Sequence, residues 1–176
     1  MPEFIDLPFC PHCGNRTFNS GPFKPWICDS CNFRLYPNVA SAAAVFIYDE
    51  ESRILFTERA HEPSLGKLGL PGGFLDAGET AESGILREIR EEVGIPVTNL
   101  IYLGSFPNKY FYGGIHYDTL DLFFTARALS KEVKIDPTEV AAVHWKHREN
   151  IQEEDLAFPS FIQALGVLKD FKKKGV

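Results

Sequence analysis

Apolar residues recur with two different periods along this chain, and the period changes where glycine, proline and acidic clusters interrupt it. Ala42 to Tyr48 is the longest apolar run, and residues 39–48 read as a strand rich in Val, Ile and Phe. Residues 53–58 read as a second strand, joined to the first through the acidic turn Asp49, Glu50, Glu51. Leu68 to Leu70 forms a short strand ahead of a glycine loop. At Ala81 the period changes: Ala81, Ile85, Ile89 and Val93 recur every fourth residue with Leu86 alongside, which predicts an amphipathic helix over 81–93. Thr80 suits its N-cap, Gly94 the left-handed position past its end, and Pro96 forbids continuation. Strand composition returns over 100–112 and 115–128, a long hairpin around Gly113-Gly114, and over 141–147; residues 158–171 read as a second helix. The expected fold is α/β, a mixed sheet with helices on its faces.

The polar side of the first helix carries Glu88, Glu91 and Glu92, spaced to stand on one face. Like charges so close cost a structural helix some tenths of a kcal/mol per pair, and a divalent cation removes that objection. Just upstream, Pro71, Gly72, Gly73 and Gly78 bracket a loop whose backbone can approach a ligand, and a carbonyl there could complete a metal shell. Several carboxylates plus a carbonyl suit Mg²⁺ or Mn²⁺ with substrate phosphates. The bland alternative is a solvated acidic helix after a glycine turn.

From Gly73 through Glu79, Arg87, Glu88, Ile89, Glu91, Glu92, Gly94 and Ile95, the residue types and spacing match the Nudix box at every defining position, and the chain resembles the Nudix hydrolase family. That resemblance implies an α/β/α sandwich and Mg²⁺-dependent hydrolysis of a nucleoside diphosphate linked to another moiety. Carried over position by position, it implies Glu88, Glu91 and Glu92 as metal ligands with one of them a base for the attacking water, Arg87 as the residue that orients them, Glu79 in the outer shell or metal site, and Gly73 as the carbonyl donor. Asp136, Pro137, Thr138, Glu139 and, further on, Trp145 resemble a segment of NADH pyrophosphatases, and Glu139 is the candidate for an additional ligand; an exposed acid in a polar turn is the competing reading.

Near the amino terminus, Cys10-Pro11-His12-Cys13 and Cys28-Asp29-Ser30-Cys31 form two CxxC pairs fourteen residues apart. Four thiolates fit tetrahedral Zn²⁺ and leave no open position, so the zinc would be structural. The segment resembles a zinc ribbon over about Pro8 to Tyr36, as in NADH pyrophosphatase-like members. Disulfides or a redox dithiol are the competing readings; no basic-then-apolar leader precedes the cysteines, and a thioredoxin-like site needs a single CxxC. The expected organisation is a ribbon over 1–36 and a Nudix domain over 37–176.

Composition narrows the partners. With 44% hydrophobic and 24% charged residues, 176 residues can bury one core plus a small module, and no apolar run approaches a membrane span, so a cytoplasmic enzyme without a membrane partner is expected. Net charge is −6, yet residues 1–36 balance Arg16, Lys24 and Arg34 against Glu3, Asp6 and Asp29. Without a Lys/Arg excess the ribbon is poorly equipped to grip nucleic acid, and bracing or oligomerising the catalytic domain is its expected task. The family resemblance implies a homodimer. Lys172, Lys173 and Lys174 read as a helix end complementing its dipole.

For the substrate, Arg59 and Lys109 could meet phosphate or ribose, and Tyr110 and Tyr112, with Phe106, Phe111 and Tyr117, could stack a base. NADH pyrophosphatases carry Ser-Gln-Pro-Trp-Pro-Phe-Pro after the catalytic helix, whereas this chain reads Ser105-Phe106-Pro107-Asn108-Lys109-Tyr110. ADP-ribose or another ADP-linked diphosphate therefore stands beside NAD(H). Two other functions stay open: a noncatalytic nucleotide sensor on the same fold, and a hydrolase of RNA cap ends.

Overall fold

The structure, a computed structural model, describes residues 8–16, 18–19 and 25–171. These form two compact units, one reaching to Val39 and including Phe111–Tyr117, the other comprising Ala40–Tyr110 and the residues from Asp118 onward. The reading of Lys172 to Lys174 lies outside the described residues.

In the first unit, three short antiparallel strands, β1 (Phe18–Asn19), β2 (Trp26–Cys28) and β3 (Arg34–Leu35), run in the order β1-β2-β3. The two CxxC segments fold alike. Gly14 N–H donates to Cys10 C=O at 2.9 Å and Cys10 N–H to Asn15 C=O at 2.9 Å; Asn32 N–H donates to Cys28 C=O at 2.8 Å and Cys28 N–H to Phe33 C=O at 3.0 Å. Each turn closes on a residue with positive φ, Gly14 at 75° and Asn32 at 59°, the two residue types that adopt that conformation most readily. The buried residues are Cys10, Trp26 and Cys28, with Cys31, Phe33 and Leu35 against them. So small a core needs a staple, and the cysteines supply the groups for one.

The second unit is built on β4 (Ala40–Tyr48), β5 (Ile54–Arg59), β6 (Leu68–Gly69), β7 (Gly72–Phe74), α1 (Ala81–Glu92), β8 (Val97–Tyr112), β9 (Ile115–Ala128), β10 (Val140–Lys146) and α2 (Pro159–Phe171). The sheet order is β10-β5-β4-β9-β8, with β6 beside β5 and β7 beside β4. β4 is parallel to β9 along its whole length and antiparallel to β7 and β5 on its other edge, so the sheet is mixed. Alternate residues of β4 enter two cores: Ala43, Val45 and Ile47 pack with Ile85, Ile89 and Val93 of the α1 region, while Ala44, Phe46 and Tyr48 pack with Phe161, Ala164, Leu165 and Leu168 of α2. Burial on both faces is why this strand reads as a continuous apolar run.

The helices and long strands fall within a few residues of their expected bounds. β7 differs: the segment read as glycine loop pairs as a strand, Ala42 opposite Phe74, Ala43 opposite Gly73, Ala44 opposite Gly72. Its partner dictates that pairing, which local composition does not carry. Gly72 sits at φ 148°, and a Cβ there would lie 2.1 Å from Ala43 O. Gly72→Ala should therefore cost about 2 kcal/mol or more beyond Gly78→Ala, where φ is 91° but nothing lies within 4 Å of the added carbon. Urea unfolding of the two variants checks this.

Candidate active site

The site is assembled from α1 outward. Thr80 and Ser83 cap the helix reciprocally, Ser83 N–H donating to Thr80 Oγ1 at 3.1 Å and Thr80 N–H to Ser83 Oγ at 2.9 Å. This fixes the register of Glu88 and Glu92, one turn apart and only 8% and 9% exposed. Glu139 comes from the loop before β10. Asp136 N–H donates to Glu92 C=O at 3.0 Å, Glu139 N–H to Asp136 C=O at 3.1 Å, and Ala60 N–H to Glu139 C=O at 3.2 Å, so the loop hangs from the end of α1 and the end of β5. One carboxylate oxygen each of Glu88, Glu92 and Glu139 lie within 4.8 Å of one another. The donor set is all hard oxygen, as Mg²⁺ or Mn²⁺ requires.

Arg87 holds the cluster from the side. Its Nε and Nη2 donate to the two oxygens of Glu79 at 2.8 Å each, Nη1 to Glu88 at 2.8 Å and Glu91 at 3.1 Å, and Nη2 also to Phe74 C=O at 3.1 Å. All its donor positions point at oxygen, an arrangement available to a planar guanidinium and not to an ammonium. The hydrogen bonds from Arg87, with the Asp76 N–H, hold the Glu79 carboxyl down at about 2. Glu91 is exposed, bonded to Arg87, and lies outside the group formed by Glu88, Glu92 and Glu139. Gly73 backs the site: a Cβ there would sit 2.7 Å from Glu88 Oε1.

Burial is the main cause that raises the Glu92 carboxyl, to about 8, with Glu88 and Glu139 adding repulsion and the Gly72 N–H, 2.9 Å from Oε2, opposing. Burial likewise raises Glu88 against the pull of Arg87. Without a cation the cluster therefore holds a proton at neutral pH; a divalent ion would take its place.

A cleft of about 120 Å³ extends from Glu92, Glu139, Gly72 and Gly73 between the sheet and the start of α2. Of the side chains expected to meet substrate, Arg59 and Tyr110 line it. Arg59 donates from Nε to Pro63 C=O at 2.7 Å and lies 5.0 Å over the Phe158 ring. Lys109 instead faces Asp118 at 3.4 Å, and Tyr112, 63% exposed, belongs to the other unit; neither lines the cleft. Phe106 packs edge-on against Phe123 in the core. Sequence reasoning passed over Phe74, Phe158, Asn108, Thr119 and Asp121, which line the cleft. The available signal was Asp121 itself, an acid between Leu120 and Leu122 in a strand apolar on both sides.

In the first unit all four cysteine sulfurs lie within 4.8 Å of one another, Cys10 to Cys31 at 3.8 Å and Cys13 to Cys28 at 3.7 Å. A disulfide needs about 2.05 Å, whereas zinc–sulfur bonds of about 2.3 Å give a tetrahedron edge of about 3.8 Å. The cluster has the geometry of a zinc ribbon.

A mixed sheet lies between two helices, and a glycine turn feeds the carboxylate helix, the class of α/β fold with a cluster of oxygen ligands for a divalent cation. The NUDIX domain model matches residues 38–163, and the chain belongs to the Nudix family. Relatives include the NAD-capped RNA hydrolases NudC of Escherichia coli O1:K1, 32% identical over 143 residues covering 81% of this chain and 52% of the relative, and of Salmonella paratyphi C, 33% identical over the same shares. The chain spans about half the length of the curated relatives it matches. Among solved structures, the MutT NUDIX hydrolase of Burkholderia pseudomallei superposes with TM-score 0.63 at 26% identity, covering 74% of this chain and 98% of that one. A NUDIX hydrolase of Nitrosomonas europaea reaches 0.68 at 23% identity over 96% and 92%, and the NUDIX domain of Shewanella oneidensis NrtR complexed with ADP ribose reaches 0.64 at 21% over 77% and 89%; these two likenesses show the fold. No helix among the described residues is long and apolar enough to cross a membrane.

The raised Glu92 carboxyl has a consequence for stability. Folded and metal-free, it keeps its proton to about pH 8, whereas an ordinary glutamate loses it near 4.5. The folded state binds more protons over that interval, so Glu92 makes metal-free stability fall as pH rises from about 4.5 to about 8. Urea midpoints across this range should slope downward in the wild type and slope less in Glu92→Gln; the same slope in both would assign it to other groups.

Proposed function

We propose that the chain is a Mg²⁺- or Mn²⁺-dependent pyrophosphatase that cleaves the phosphoanhydride bond of a nucleoside diphosphate linked to another moiety, such as ADP-ribose or NAD(H). The observation that carries this is the convergence of Glu88, Glu92 and Glu139 at one end of a cleft that also holds Arg59 and aromatic side chains. The ADP ribose bound to the NrtR domain and the NAD-capped RNA named for the relatives both contain such a diphosphate, which supports the substrate class.

A divalent cation held by Glu88, Glu92 and Glu139 would neutralise the diphosphate and acidify water. The chain's own residues do the rest. Arg87 keeps Glu88 aligned, Arg59 offers a cation in the cleft, and a carboxylate of the cluster accepts the proton of the attacking water. The P–O bond to the bridging oxygen breaks as the new P–O bond to water forms, giving two monophosphates. A cytoplasmic setting would keep the four cysteines reduced and available to structural zinc.

The RNA cap-end reading is favoured by one observation, the activity for which the relatives are named, and it uses the same bond on a longer leaving group. The ribbon's balanced charge speaks for the free dinucleotide. The sensor reading predicts binding without turnover, although every carboxylate of the box is present.

Incubation with Mg²⁺, a panel of nucleoside diphosphate derivatives and NAD-capped RNA in ¹⁸O-water should yield labelled monophosphate, with Glu92→Gln reducing kcat by about 10²-fold or more. Absence of cleavage of every compound with either ion would contradict the proposal. Metal analysis should find about one zinc per chain, lost together with ribbon stability in Cys28→Ser; a zinc-free protein of undiminished stability would remove the metal from the ribbon.

A further inference from the structure

Deep in the cleft, four polar side chains meet where the sheet is otherwise apolar. Asp121 on β9 is 4% exposed, Thr119 is buried beside it, Asn108 comes from β8 and Ser160 from the first turn of α2. Asp121 stands opposite Ala42 in the β4–β9 register, so the neighbouring small side chain leaves the cleft open there. Asn108, Thr119 and Asp121 line the same cleft as Glu92 and Glu139.

Their hydrogen bonds run one way. Asn108 Nδ2 donates to Asp121 Oδ2 at 2.9 Å, Ser160 Oγ to the same oxygen at 2.7 Å, and Thr119 Oγ1 to Oδ1 at 2.7 Å. Asn108 thus turns its NH₂ toward Asp121 and its carbonyl away. That carbonyl oxygen, Oδ1, is buried and finds no donor among the described residues. Nor does any cation among them pair with Asp121. The three hydrogen bonds to Asp121 join β8, β9 and α2, and what they leave over is the orphaned acceptor of Asn108, whose burial costs stability. Beside a cleft, such an acceptor is one that a ligand can satisfy by supplying the missing donor.

We infer that Asn108 and Asp121 form a specificity subsite for a planar ring bearing an N–H donor group, an exocyclic amine or a carboxamide, on a nucleotide substrate. The inference rests on the nucleotide-diphosphate reading above. Aromatic side chains that could meet a ring, Tyr110, Phe158 and Phe161, line the same cleft. With its donors already spent on Asp121, the floor offers acceptor capacity, which matches N–H and repels a carbonyl or carboxylate oxygen in the same place. Sites of this kind discriminate strongly, because the wrong partner leaves buried polar groups unpaired.

Two substrate pairs test it: ADP-ribose against IDP-ribose, whose base carries a carbonyl in place of the amine, and NAD against its nicotinic acid analogue, whose carboxamide is a carboxylate. kcat/KM is measured with Mg²⁺ and binding by calorimetry with Ca²⁺. The amino- or amide-bearing member of at least one pair should be preferred by tenfold or more in the wild type, and the pair that responds identifies which ring enters the subsite. In Asn108→Leu that preference should shrink to within about twofold. Equal handling of both members of both pairs overturns the subsite while cleavage leaves the hydrolase reading standing. Preferential binding without cleavage does the reverse, and no binding of any compound overturns both. The wild-type comparison decides without a variant; a folded Asn108→Leu protein that keeps the full preference overturns the role of Asn108.

Discussion

Three carboxylates drawn within 4.8 Å of one another repel, and much of the second unit is arranged to hold them there. At an effective dielectric of about 20, two full charges at that separation cost about 3 kcal/mol, and less for the exposed Glu139. That is a substantial fraction of a domain's net stability. The opposing forces are named ones: Arg87 spans Glu79, Glu88 and Glu91, the Gly72 N–H meets Glu92, and the loop of Glu139 is tied by Asp136 to the last turn of α1. The residual strain appears as carboxyls of Glu88 and Glu92 that are both raised above the ordinary range. A cluster that is costly when empty and satisfied by a cation is the physical content of a metal site.

The scaffold can bear this cost because β4 is sealed on both faces. Helix α1 brings the carboxylates to one face through an apolar stripe that packs on Val45 and Ile47, and α2 covers the other through Phe161 and Leu165. Where α2 begins, the cleft opens between these layers, lined both by Glu92 and Glu139 of the carboxylate cluster and by Asn108 and Asp121. In the proposed reading, chemistry and selectivity are thus separated: oxygens of the α1 region and of Glu139 would face the diphosphate, and the sheet would read what is attached to it.

Features governed by local chemistry were legible in the sequence. Thr80, Gly94 and Pro96 bound α1, Gly113 and Gly114 with φ of 58° and 82° turn the hairpin, and the cysteine spacing encodes two similar turns. Features governed by a partner were not. β7 is a strand only because β4 lies beside it, and the grouping of Phe111–Tyr117 with the amino-terminal unit depends on contacts far apart in the chain. The site divides the same way. The carboxylates of α1 stand at helical spacing, whereas Asn108, Asp121 and Ser160 are brought together by strand register and helix docking across more than fifty positions. Glu139 was reachable only through resemblance to a loop of related enzymes.

The most direct test of the account is a Mn²⁺ titration of the nucleotide-free protein followed by electron paramagnetic resonance, in the wild type and in Glu88→Gln and Glu92→Gln. The account predicts saturable Mn²⁺ binding that Mg²⁺ displaces and that each substitution weakens by at least tenfold. Mn²⁺ binding that is absent, or equal in all three proteins, would contradict it.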